Sequence, residues 1–156
     1  MAELMATPAT DLLTQEYLAI FQVYESYNDQ SLIIKGWSVT VGMAALIAAY
    51  ASKPAERPGT ILVVLAACSV LPFYLTDAIW KAVQEGYHLR LLDIEGAIAR
   101  GTSIDALQMF TTWSQKFHLG PAEFLAAAVN PTVMLPHLPI FVAGLLLAWL
   151  RPPTST

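Results

Sequence analysis

"SLIIKGWSVTVGMAALIAAY", residues 31–50, holds one full charge in twenty residues, and that charge is Lys35. A run of about 20 predominantly apolar residues is long enough to cross the hydrocarbon core of a bilayer as a helix. A lysine one turn inside such a run needs a counter-charge, or room to snorkel its amine to the interface. Two further stretches pass the same length test: "TILVVLAACSVLPFYLTDAIW", residues 60–80, and "TVMLPHLPIFVAGLLLAWL", residues 132–150. The three predicted spans are therefore Leu32 to Ala51, Thr60 to Trp80 and Thr132 to Leu150. Pro136, His137 and Pro139 crowd the start of the third, which predicts a kink or an irregular entry there.

The first two spans are joined by "SKPAERPGT", residues 52–60, with two prolines, a glycine and three charges. Such a segment reads as a tight solvated turn, so the two spans form an antiparallel hairpin. Counted outward from that turn, Lys35 and Asp77 fall at the same depth. The expectation is an ion pair between them; simple snorkelling of Lys35 is the alternative. Trp37 and Trp80 sit at that level, where indole rings prefer the headgroup boundary, and Tyr50 and Trp149 mark the other boundary.

Composition agrees with this reading. Of 156 residues, 56% are hydrophobic and only 13% charged, with a mean hydropathy of +0.53; a soluble domain carries about 25% charged residues. The net charge of −4 and the lack of a basic run argue against nucleic-acid binding. Cys68 is the single cysteine, so no internal disulfide forms. The segment "MAELMATPATDLLTQEY" lacks the positive n-region and short apolar core of a cleaved signal peptide.

Both hairpin helices are expected to run on past the membrane. Leu13, Tyr17, Ile20, Tyr24, Tyr27 and Ile34 form one heptad-like seam, and Trp80, Tyr87, Leu91, Ile94 and Ile98 another. Packed together they make an antiparallel stalk. In such a hairpin, facing positions have residue numbers with a constant sum. On that rule Lys35 pairs with Asp77, Asp29 with Lys81, and Asp11 with Arg100, while Glu25 and Glu85 repel. The stalk ends near Gly101. Residues 104–118 then read as an amphipathic helix with Leu107, Phe110, Trp113 and Phe117 on one face. "LGP" at 119–121 breaks it, and a short helix, 122–128, leads to the third span. The expected layout is thus a single membrane domain: a first helix over 9–51, a second over 60–100, helices within 103–128 and a span over 131–150. Lys35, Lys81, Arg90, Arg100 and Lys116 outnumber Lys53, Arg57 and Arg151, which places the stalk in the cytoplasm by the positive-inside rule.

The fragments "LIIKGWSVTVG", "FYLTDAIWKAVQEGYHLRLLDIEGAI" and "VMLPH" resemble a group of uncharacterised small bacterial multi-span membrane proteins over most of the chain. The matching positions are Lys35 to Ser38; Asp77, Trp80 and Lys81; Arg90, Ile94 and Glu95; and Met134 to His137. The layout is also similar to the two-span SLATT effectors that accompany bacterial nucleotide-signalling defence genes. That likeness implies an oligomeric, membrane-disrupting protein.

Catalytic signatures are not found. There is no nucleophile elbow, no His-Glu-x-x-His and no phosphate-binding glycine loop. His88, His118 and His137 are far apart in sequence, so no metal or cofactor is expected. His137 is read as structural, bonding a carbonyl freed by Pro139, or else facing a wet cavity. Ser38, Ser69 and Thr76 read as packing or back-bonding residues. Gly42, Ala45 and Ala49 form a small face that lets helices approach closely, within the hairpin or between subunits. The expectation is an all-α integral membrane protein without enzymatic activity. It partners the lipid bilayer and either itself or another membrane protein, as an effector or assembly module, an accessory subunit, or a small-solute channel or transporter. Its candidate residues are Lys35, Asp77, Trp37, Trp80, Lys81, Arg90 and His137.

Overall fold

The computed structural model describes residues 8–51, 59–116 and 120–150. Its described residues form seven helices: α1 (Pro8–Ala51), α2 (Thr60–Cys68), α3 (Leu71–Arg100), α4 (Met109–Lys116), α5 (Pro121–Ala128), α6 (Pro131–Met134) and α7 (His137–Leu150). The segment 52–58, expected to turn, and Phe117 and His118 lie outside the described residues.

α1 runs unbroken for 44 residues, about 66 Å at 1.5 Å per residue. The helix expected over 60–100 is instead two pieces, α2 and α3. Pro72 stands in the first turn of α3. It has no N–H to offer the carbonyl of Cys68, so the ladder breaks one turn earlier. Ser69 closes the gap by donating both its N–H and its hydroxyl to the Ala66 carbonyl, at 3.2 and 2.7 Å.

α1 and α3 pack along their length as the two arms of an antiparallel hairpin. The register is regular. Lys35 faces Asp77, Asn28 bonds Gln84, the Tyr24 ring meets His88, and Tyr17 bonds Glu95, and in every pair the two numbers add to 112. Asp29 with Lys81 and Asp11 with Arg100 are not ion pairs among the described contacts. Lys81 bonds Gln84 on its own helix at 2.8 Å instead. Glu25 and Glu85 are drawn to Asn28 and His88 on their own helices.

The stalk core is Ile20, Leu91 and Ile94, flanked by Tyr17, Tyr24 and Tyr87. Ile98, assigned to this seam from its spacing, is exposed, and Ala97 is buried in its place. α3 ends at Gly101, whose φ of 62° is the left-handed cap a side chain would resist. The helix expected from 104 starts only at Met109. Leu107 lies outside it, and Leu107 and Phe110 are both exposed.

At the other end, α7 lies against α2 and α1. Leu46, Ala49, Val63, Val70, Ile140 and Ala148 form the core there. Close approach is set by glycine. A Cβ on Gly144 would lie 2.5 Å from the Ala67 Cβ, and one on Gly42 2.5 Å from Val70 Cγ1. The small face of α1 is thus used inside the chain. Between α6 and α7 the Leu135–Pro136 peptide is cis, and α7 begins at His137.

Candidate functional site

Three helices deliver polar side chains to one level. Asp77 comes from α3, Ser31, Lys35 and Ser38 from α1, and His137 from the first residue of α7. Asp77 is fully buried, and so are Ser38 and, nearly, His137. The Lys35 amine lies 2.7 Å from Asp77 Oδ2. Ser31 donates to Asp77 Oδ1 at 2.5 Å and in turn accepts from Lys35. The pairing expected from counting along the hairpin is therefore present.

His137 is where sequence reasoning fell short. It neither bonds a carbonyl freed by Pro139 nor faces a wet cavity. Its Nδ1 lies 2.7 Å from Ser38 Oγ. Its Nε2 lies 3.4 Å from Asp77 Oδ2, an electrostatic contact whose geometry falls short of a hydrogen bond. A hydrogen on Nε2 faces the carboxylate and leaves Nδ1 to accept from the Ser38 hydroxyl, so one tautomer suits both neighbours. The Tyr74 ring stacks obliquely beside the imidazole at 6.0 Å, and its hydroxyl donates to the Ala128 carbonyl at 2.8 Å. Serine, histidine and aspartate in a row resemble a hydrolytic relay. Here the serine is fully buried. The arrangement can lock three helices together through buried polar contacts.

Above this cluster, the Tyr27 ring packs between Trp80 and Tyr87, at 5.0 and 5.8 Å. Burial, followed by the neighbouring Tyr87, raises the Tyr27 hydroxyl above its ordinary value. Trp37 is exposed on the outer face of α1. Lys81 lies one residue beyond Trp80, half-buried at the rim of a cavity of about 460 Å³ that Lys35 also lines.

A second buried ionic group sits in the stalk. Arg90 forms a two-point bond to Glu16, Nε to Oε1 at 3.1 Å and Nη2 to Oε2 at 3.0 Å. The same carboxylate accepts the backbone N–H groups of Leu107 and Gln108 at 2.7 and 3.0 Å, while Arg90 donates to the Asp105 carbonyl at 2.8 Å. Glu16 thereby fixes the segment before α4, with Leu107 held at a φ of 60°. This explains why 104–108 is not helical: its N–H groups and a carbonyl are taken by side chains from α1 and α3. Arg90 was legible as a candidate; Glu16 was not, because its partners are the Arg90 side chain 74 residues away and backbone groups 91 and 92 residues away.

Outside these clusters, Tyr17 donates to Glu95 at 2.6 Å. That bond to the neutral phenol is the main cause of a Tyr17 hydroxyl raised above its ordinary value near 10; burial and the Glu95 charge add to it. No protein-family model, curated protein or solved structure matches this chain.

Proposed function

We propose that the chain is an integral membrane protein without enzymatic activity, acting as a membrane-embedded assembly module. One observation carries this reading. The most apolar windows of the α1 and the α2–α3 arms have mean hydropathies of 1.8 and 2.0, yet only 22% and 28% of their residues are buried. A core helix of a soluble protein of that hydropathy would be largely covered. Here Leu32, Ile33, Ile47, Ile61 and Leu65 are all more than half exposed. Lipid is the solvent that suits such a surface.

The polar cluster then lies one turn inside one boundary. Beyond it, Lys35 to Ala51, Asp77 back to Thr60 and His137 to Leu150 give about 21–27 Å of apolar helix each. α7 alone is shorter than the hydrocarbon core of about 30 Å, and α6 completes the third crossing. Asp77, Lys35 and His137 occupy a single level, with no polar track continuing through the apolar length, so the arrangement favours a structural lock over a solute pathway. On the stalk side, Leu18, Phe21, Leu92, Ile98 and Phe110 are exposed beyond the apolar windows. An apolar surface in water supports a second copy or a partner protein there. The likeness to SLATT effectors points the same way.

Alkaline carbonate extraction tests the membrane reading: the protein stays in the membrane pellet until detergent is added. Release by carbonate alone would overturn it. Cross-linking through Leu18→Cys or Ile98→Cys, with Cys68→Ser, gives dimer or partner adducts if the stalk is an assembly surface. A potential-sensitive dye separates the roles. An effector collapses the membrane potential on induction, less so as Lys35→Ala. An accessory subunit leaves the potential intact and co-purifies with a stoichiometric partner.

A further inference from the structure

We propose that the cavity between Lys35 and Lys81 binds the phosphate of an anionic phospholipid; this rests on the membrane reading above. The cavity, about 460 Å³, is lined by the polar Ser31, Lys35, Lys81, Gln84 and Thr132 and by the apolar Leu32 and Leu135. Polar and apolar side chains in one lining suit a molecule with a charged headgroup and an acyl chain.

Charge gives the sign of the ligand. Two ammonium groups line the cavity and no carboxylate does. Asp77 lies behind Lys35 and neutralises it. Lys81 has no carboxylate within ion-pair distance among the described residues, and Gln84 holds its amine at 2.8 Å. The uncompensated charge at this rim is thus about that of one lysine. Glu85 and Glu123 line a separate cavity on the other side of Lys81; they leave the apolar rim of this one free of negative charge.

Position gives the source. Lys81 follows Trp80, the residue at the headgroup boundary, while Leu32 and Leu135 are strongly exposed toward the apolar side. Basic pockets between helices at a cytoplasmic interface hold anionic lipid headgroups in this way, and one lysine near such a surface is worth about fivefold in affinity. A soluble phosphate would use the polar side chains and leave Leu32 and Leu135 unused.

The test is native mass spectrometry of the full chain released from phosphatidylcholine nanodiscs containing a minority of phosphatidylglycerol. The expected result is one retained phosphatidylglycerol per chain, enriched about fivefold over phosphatidylcholine. Lys81→Gln and Thr132→Glu each abolish the enrichment without lowering the melting temperature in detergent. Equal retention of the two lipids, or enrichment unchanged in both variants, overturns the site. Displacement of the lipid by millimolar inorganic phosphate overturns the lipid assignment in favour of a soluble phosphate. Failure to insert into phosphatidylcholine nanodiscs at all would instead sink the membrane reading on which the site depends.

Discussion

Replacing Lys35 by methionine keeps the length of the stem and removes the amine, leaving Asp77 with no exposure to solvent. Removing one partner of a buried ion pair costs about 3–5 kcal/mol, because the other charge stays buried. Two neighbours soften this. Ser31 still donates to Oδ1 at 2.5 Å, and His137 Nε2 lies 3.4 Å from Oδ2. The expected loss is about 2–4 kcal/mol. Asp77→Asn is milder. The Lys35 side chain is 19% exposed, so its amine can swing along its stem toward the interface, at a cost of about 1–2 kcal/mol. The double variant Lys35→Met with Asp77→Asn removes both charges and falls below Lys35→Met alone in cost. Unfolding in mixed detergent micelles gives these differences. If Lys35→Met costs under about 1 kcal/mol, or the single costs simply add, the pair is a surface contact and the reasoning fails.

Other consequences are independent of that pair. Gly144→Ala is expected to lower stability by about 1–3 kcal/mol, since the new methyl would meet the rigid Cβ and backbone of Ala67. Gly36→Ala, with open space around it, serves as the control and melts at or above the wild-type temperature. Glu16→Gln should leave the spans intact while exposing 102–108 to protease and to rapid hydrogen exchange, because the carboxylate that holds Leu107 and Gln108 is lost. Tyr17 titrates above its ordinary value, so its bond to Glu95 stabilises the fold below pH 10 and is lost as pH rises through the raised value. Ultraviolet titration checks this, and Glu95→Gln returns Tyr17 toward 10.

Much of the architecture was legible because a hairpin has one register. The turn residues fixed its centre, and the lone charges Lys35 and Asp77 then fell opposite each other. The same register places Tyr24 against His88 and Tyr17 against Glu95. What escaped the sequence depended on local backbone chemistry or distant partners. Pro72 splits the second arm, although the apolar run through it looks continuous. Residues 104–108 have helical periodicity but spend their backbone groups on Glu16 and Arg90. His137 sits in an apolar run 99 residues from Ser38, and only the docking of α7 brings the two together. Spacing also assigned Ile98 to the stalk seam, where the α3 end turns Ala97 inward instead.

The most direct measurement is reactivity of single cysteines, on a Cys68→Ser background, toward a membrane-impermeant maleimide in intact membranes opened to both sides. Ile47, Leu65 and Leu146 are exposed on the isolated chain, as are Glu25 and Glu85. Cysteines at the first three positions should stay unlabelled until detergent is added, while those at 25 and 85 label at once. Labelling of all five at similar rates, before any detergent, would show the apolar flanks in water and contradict the account.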